Sequence, residues 1–203
     1  AVITAFADNE VGKLMEDFIL QGGVDTSLIN WKKTDGIGRI CRNGINFTER
    51  GFGIRGAVGC SDRANTAIAQ ATPEDFDFDY IFGELGVRWL HTGGIYAALS
   101  EQSCETVLAA IKAAKKLGLT VSFDPNFRST LWSFETARDV LSRYLPYVDV
   151  LIGIEPIHVY NADGTDVKDG LTMDPSFEDM DRVFKAIDEQ YHMKAIARTV
   201  RYV

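Results

Sequence analysis

Val121-Ser122-Phe123-Asp124-Pro125-Asn126-Phe127-Arg128-Ser129-Thr130-Leu131-Trp132 passes from a β-branched and aromatic run to a carboxylate, an amide and a guanidinium at alternating positions. In an open α/β sheet, ligands bind beyond the carboxyl ends of the strands. Asp124, Asn126 and Arg128 fall just past such a strand, and Pro125 stiffens its exit. An ordinary strand-to-loop turn, in which Asp and Asn satisfy their own backbone, is the commoner explanation of a generic Asp-Pro-Asn. Arg128 distinguishes the two, because guanidinium is the side chain suited to a bidentate grip on a carboxylate.

Strands and helices alternate on both sides of this stretch. Upstream, Val87 to His91 reads as a strand ending in Thr92-Gly93-Gly94. Ser100 caps a helix from Glu101 to Leu117, Gly118 closes it, and Leu119 to Phe123 is the next strand. Downstream, Ser133 caps a helix running to about Leu145, followed by a strand at Val148 to Ile152, a helix at Phe177 to Tyr191 and a strand at Lys194 to Thr199. Such alternation predicts right-handed βαβ crossovers and a mostly parallel sheet.

The first residues repeat the pattern. Ala1 to Phe6 is a strand, and Asp8 or Asn9 caps a helix with Val11, Leu14, Met15, Phe18 and Ile19 at helical spacing, ended by Gly22-Gly23. Between Gly36 and about Gln70 the texture changes to Gly, Arg, Asn and Thr, with short alternating pieces at Ile37 to Ile40, Ile45 to Thr48 and Thr66 to Ala69. Twisted antiparallel strands with glycine turns are expected there, polar on one face, as a lid over a pocket or an interaction surface. The expected organisation is an α/β core of residues 1–35 and 72–203 with a β-sheet lid of residues 36–71.

Composition narrows the function. The 203 residues are 46% hydrophobic and 25% charged, which indicates a globular chain, and no apolar run approaches the roughly 18 residues of a membrane span. A formal charge of -8 argues against nucleic acid, whose phosphates require clustered Lys and Arg. The opening residues carry no basic region followed by an apolar stretch, so no secretory signal is expected and a cytoplasmic enzyme fits. Cys41, Cys60 and Cys104 match neither a disulfide framework nor a zinc site, and His91, His158 and His192 are equally scattered.

Three further segments carry candidate chemistry. Gly93, within Thr92-Gly93-Gly94, lets a ligand approach the backbone closely or simply makes a tight turn. Arg63, in Ser61-Asp62-Arg63-Ala64-Asn65, is a solvated strand residue or a second cation for a small anionic substrate. Gly51-Phe52-Gly53-Ile54-Arg55-Gly56 has the spacing of a dinucleotide loop but follows no strand-to-helix switch, and is discounted. No Ser-His-Asp order, Gly-x-Ser-x-Gly or Walker-type run is present. The residues themselves predict a sheet-based pocket for a small anion under a glycine-rich lid.

At these positions the sequence resembles the PfkB-type, or ribokinase-like, carbohydrate kinases, and within them the 2-keto-3-deoxygluconate kinases. The resemblance runs through Ala5-x-x-Asp8-Asn9-x-x-Gly12, Gly23-Val24-Asp25, the lid, Trp89-Leu90-His91-Thr92-Gly93-Gly94-Ile95 and Asp124-x-Asn126-x-Arg128-x-x-Leu131-Trp132. It implies a three-layer α/β sandwich with a mostly parallel sheet, incomplete in this chain, plus a small antiparallel β lid. It also implies ATP and Mg2+ as cofactors and transfer of the γ-phosphoryl group to a sugar acid. By this resemblance Arg63 matches the lid arginine and Arg128 the sheet arginine that engage the acid, with Asp124 and Asn126 as neighbours positioning Arg128 and sugar hydroxyls.

Two departures qualify the expectation. Where the family carries Asn-x-x-Glu, tied to magnesium and phosphate placement, this chain reads Ile154-Glu155-Pro156-Ile157, leaving Glu155 as the metal candidate. The Asp-Thr-x-Gly-Ala-Gly-Asp signature that supplies the catalytic base is not found before Val203, nor is the family's N-terminal glycine pair with its sugar-binding Asn. The chain is thus expected to be the central part of a kinase cut at both ends, inactive by itself because its base lies elsewhere. A fructokinase-like enzyme and a non-catalytic sugar-acid-binding remnant are the alternatives. The apolar residues of the lid, Ile45, Phe47, Phe52, Ile54 and Val58, lead to the expectation of a homodimer formed through it.

Overall fold

The computed structural model describes residues 1–172 and 174–199. These form two compact units, one of Ala1–Phe76 with Leu99–Ser103, the other of Asp77–Ala98 with the described residues from Cys104 onward.

In the first unit, β1 (Thr4–Ala7) and β2 (Ile29–Lys32) pair in parallel around α1 (Glu10–Gln21), with Thr4 opposite Ile29 and Ala7 opposite Lys32. Asn9 is the cap of α1, accepting a hydrogen bond from the Gly12 N–H at 3.0 Å. The buried Asn43 side chain accepts from the Ala7 N–H at 2.9 Å and donates to Asn9 Oδ1 at 3.1 Å, tying the chain ahead of the hairpin to the end of β1. The apolar spacing of α1 is helical as expected, but only Gly12 is fully buried. Val11, Leu14 and Phe18 form an exposed stripe.

The antiparallel pair is β3 (Ile45–Glu49) with β4 (Val58–Asp62), in the register Ile45 to Asp62, Phe47 to Cys60 and Glu49 to Val58. Alternation puts Ile45, Phe47, Val58 and Cys60 on one face and Asn46, Thr48 and Ser61 on the other, where Ser61 donates to Asn46 Oδ1 at 2.7 Å. Gly51 to Gly56 lies in the connection between the two strands, closed by reciprocal Phe52 and Arg55 backbone bonds of 3.0 and 3.1 Å, and is no dinucleotide loop.

Two expected lid strands are not strands. Residues 37–40 wrap around Asp35, whose carboxylate accepts from the N–H groups of Ile37, Gly38 and Arg39, so a local turn wins over pairing. Thr66 makes a single bridge to Arg42 before a 3₁₀ turn at Ile68–Gln70.

The second unit holds a four-stranded parallel sheet in the order β5 (Trp89–Gly93), β6 (Thr120–Asp124), β7 (Val150–Ile152), β8 (Ala195–Ala197). Its helices are α2 (Phe78–Gly83), α3 (Gly94–Ala97), α4 (Glu101–Lys116) from Cys104 onward, α5 (Phe134–Ser142) and α6 (Phe177–Tyr191). Ser133 caps α5 and Ser176 caps α6, each accepting at 3.1 Å from the N–H three residues on. The helix expected to reach Leu145 stops at Ser142, and a 3₁₀ turn with Pro146 follows at Leu145–Tyr147. Neither β2 nor α2 was anticipated, since each is short and lacks a full period of apolar positions.

Ile111, Val121, Phe123, Leu141, Tyr144, Leu151, Val183 and Ile187 are fully buried and join sheet to helices. Each aliphatic or Phe side chain stabilises the fold by roughly 1.5–3 kcal/mol. The Tyr144 ring meets Phe123 edge-on at 5.7 Å and its hydroxyl donates to the Cys104 carbonyl at 2.8 Å, while burial pushes its phenol well above the usual range. Asp149 organises the opposite end of the sheet from Asp124. Its carboxylate accepts from the Val121 N–H and Lys115 Nζ, both at 2.8 Å, and from Lys194 Nζ at 3.1 Å.

Candidate active site

Parallel pairing sets Gly93 opposite Asp124 at the carboxyl ends of β5 and β6. The glycines there answer to backbone, since a Cβ on Gly93 would lie 2.7 Å from the Asp124 carbonyl oxygen and one on Gly94 only 2.0 Å from that of Pro125. Thr92-Gly93-Gly94 therefore lets β5 and α3 press against the Asp124-Pro125 segment, which fixes where the next side chains emerge.

Pro125 is fully buried, and Asp124 Oδ1 accepts from the Asn126 N–H at 2.9 Å, so one carboxylate oxygen closes the local turn. Oδ2 makes no hydrogen bond among the described residues. Asn126 takes a left-handed conformation at φ 38°, which Asn tolerates better than most residues, and its side-chain amide is unpaired among the described residues. Arg128 is exposed, and Nη1 donates to the Phe127 carbonyl at 2.9 Å, leaving the rest of the guanidinium available. Behind it Phe127 packs edge-on against Phe134 at 5.5 Å, and Phe134 against His158 at 5.5 Å.

The chain leaving β7 brings a second carboxylate. Gly153, at φ 98°, turns the backbone where a Cβ would meet Glu155 Oε2 at 3.1 Å and Asp124 Oδ1 at 3.8 Å, so both carboxylates flank one point. Glu155 Oε2 also accepts from the Ile154 N–H at 3.1 Å. Two oxygen donors of this kind suit Mg2+, which is commonly held by one or two carboxylates plus substrate phosphates. Among the described residues no group of three or more His, Cys, Asp or Glu could hold a metal alone.

Residues 153–171 form a compact loop. Val167 N–H donates to the Val159 carbonyl at 2.9 Å, and Lys168 Nζ donates to the carbonyls of Glu155 at 2.8 Å and Ile154 at 3.3 Å. Burial pulls the Lys168 ammonium below its usual pKa, opposed by Asp166. His158 Nδ1 lies 2.7 Å from Asp166 Oδ2 without the alignment of a hydrogen bond, and burial likewise lowers its pKa.

Of the expected site residues, Gly93, Asp124, Asn126, Arg128 and Glu155 all stand on the second unit, at or just beyond the ends of β5, β6 and β7. Arg63 belongs to the first unit. It follows β4, is half-buried, and its guanidinium makes no hydrogen bond or ion pair among the described residues, whereas neighbouring Arg42 is held by Asp62 and the Ala64 carbonyl. Sequence reasoning did not single out Gly153 or Lys168, which flank Glu155 in the structure. A glycine directly after an apolar strand and before Glu155 was a usable signal for the first; the second reaches Glu155 through a loop closed by contacts distant in sequence.

The pfkB family carbohydrate kinase profile matches residues 1–156. The chain belongs to this family. It is 36% identical over 114 residues to the 2-dehydro-3-deoxygalactonokinase of Haloferax volcanii, covering 56% of this chain and 35% of the relative. It is 45% identical over 65 residues to a fructokinase of Klebsiella pneumoniae, covering 32% of this chain and 21% of that one. Among solved structures, the 2-dehydro-3-deoxygluconokinase of Thermotoga maritima superposes with a TM-score of 0.81 at 31% identity, over 97% of this chain and 56% of that one. The matched stretches thus cover under half of the two curated relatives and about half of the Thermotoga structure. The fold is ribokinase-like, with a mostly parallel sheet, its helices and a small antiparallel sheet in a partial chain.

Proposed function

We propose that the full-length pfkB kinase containing this chain is a sugar-acid kinase, transferring the ATP γ-phosphoryl group to a hydroxyl of 2-keto-3-deoxygluconate. The observation that carries this is an exposed Arg128 just beyond β6, beside an Asn126 amide with no internal partner and two carboxylates flanking one point. A guanidinium there rewards a carboxylate on the sugar, and a neutral hexose leaves it without a partner. Arg63 is assigned the same chemistry by its match to the family's lid arginine. Asn126 orients sugar hydroxyls, and Gly93 keeps the backbone low beneath them.

Asp124 and Glu155 would hold Mg2+, which when bound neutralises charge on the transferring phosphoryl oxygens. Asp124 keeps the turn ahead of Arg128 closed, and Glu155 is held over Gly153. No residue of this chain is assigned as the proton acceptor or to the nucleotide, so the isolated chain is expected to bind sugar acid without turning over ATP. Among the described residues no helix is long and apolar enough to cross a membrane, and an acidic chain suits small-molecule rather than nucleic-acid partners. Homodimerisation through the apolar hairpin face completes the proposal.

A fructokinase-like activity is the second possibility, favoured by the 45% identity to the Klebsiella enzyme. An ADP-release assay on the full-length protein separates the two. Turnover of 2-keto-3-deoxygluconate well above fructose supports the sugar-acid kinase; equal or better turnover of fructose removes the substrate assignment.

A further inference from the structure

We propose that Lys168 is a positioning residue for Glu155, fixing the direction of its carboxylate from within the 153–171 loop. Glu155 is exposed, and nothing about an exposed side chain by itself holds it in one place. Its backbone, however, is gripped on both sides. The Ile154 and Glu155 carbonyls belong to the two peptide planes that meet at the Glu155 Cα, and Lys168 Nζ donates to both, at 3.3 and 2.8 Å. One ammonium holding both planes therefore fixes φ and ψ of Glu155 together, and Pro156, fully buried, restricts the residue before it. With its Cα–Cβ direction set, the carboxylate folds back to the Ile154 N–H and over Gly153 towards Asp124.

Lys168 is itself held. Its own N–H donates to Asp166 Oδ1 at 2.8 Å, and Asp166 Oδ2 lies 4.0 Å from its ammonium. Only 16% of its side chain is exposed, so its charge is spent on these carbonyls and on Asp166 rather than on solvent or a substrate phosphate. Burying an ammonium carries a desolvation cost, which here is offset by the two carbonyls and Asp166. The inference rests on Glu155 holding Mg2+, as proposed above.

The test is Mn2+ binding to the full-length protein in the presence of a non-hydrolysable ATP analogue, read from the free-ion EPR signal. Lys168→Met should raise the Mn2+ dissociation constant roughly tenfold, as loss of a partner outside the ligand set commonly does. Titration with 2-keto-3-deoxygluconate should change by less than about twofold, since Arg128 and Asn126 stand on another loop. Glu155→Gln should weaken Mn2+ as well, and Glu155→Gln with Lys168→Met should be no worse than Glu155→Gln alone, because Lys168 acts through Glu155. Lys168→Arg, which keeps the charge and donors, should retain most of the affinity and serves if the Met variant does not fold. Unchanged Mn2+ binding in Lys168→Met, additive losses in the double variant, or an equal loss of sugar-acid affinity each overturn the inference while leaving Glu155 as a ligand. Unchanged Mn2+ binding in Glu155→Gln overturns both.

Discussion

Asp124 and Asp149 sit at opposite ends of neighbouring parallel strands, and the difference in their surroundings separates the residue proposed for chemistry from one that serves stability. Asp124 keeps one oxygen unpaired near Glu155, whereas Asp149 is buried and spends its carboxylate on Val121, Lys115 and Lys194. Burial pushes the Asp149 carboxyl up, but the two ammonium groups and the Val121 N–H outweigh it, so its folded pKa lies below the ordinary value. Stability from such a group is present above the unfolded carboxylate pKa of about 3.9 and is lost as pH falls through the lower folded value. Asp149→Asn should cost about 2–3 kcal/mol at pH 7, mostly from Lys115 and Val121, because the exposed Lys194 arm is screened. Urea unfolding from pH 7 to 3 should show the variant's deficit shrinking towards the acid end. A deficit independent of pH would contradict this assignment. Sequence alone put Asp124 at the end of a strand, as found, but gave no sign of Asp149, whose partners lie 28, 34 and 45 positions away.

At the level of elements, caps and glycines were legible and packing was not. Asn9, Ser100, Ser133 and Gly118 mark helix ends where their chemistry predicts, because each acts on backbone within a few residues. Ile37 to Ile40 misled because alternation implies a strand only when a partner strand is within reach, and Asp35 captured those N–H groups first. The glycine pair after β5 was legible as a tight place but not as to what makes it tight, which is the Pro125 carbonyl. Gly94→Ala should therefore cost about 3 kcal/mol by forcing β5 and the Asp124 turn apart. It should also weaken sugar-acid binding in calorimetry. A variant with unchanged melting temperature and affinity would show that the segment has slack.

The hairpin makes a separate prediction. Phe52 and Ile54 are 91% and 109% exposed, and Ile45, Phe47 and Val58 lie open on the strands, a patch more apolar than a free flap tolerates. Full-length protein should sediment as a dimer, and Phe52→Ser with Ile54→Ser should make it a monomer. Wild-type protein that remains monomeric at high concentration would contradict the lid interface.

For the molecule as a whole, strand and helix alternation and the acidic composition were enough to predict a mostly parallel α/β fold and small-molecule chemistry, because both are carried by patterns repeated along the chain. The candidate residues from Asp124 to Arg128, and Glu155, could be named from the sequence, whereas Gly153 and Lys168, which the fold brings beside Glu155, could not. The proposed substrate rests on the two arginines, and their selectivity is the most direct test. In the full-length protein, the kcat/KM for 2-keto-3-deoxygluconate divided by that for fructose should be large, and Arg128→Lys should lower it roughly 10- to 100-fold, mainly through weaker sugar-acid binding, as expected for losing about 1.5–3 kcal/mol of charge-assisted hydrogen bonding. A ratio near one in the wild type, or one that Arg128→Lys leaves unchanged, would contradict recognition of the acid by Arg128.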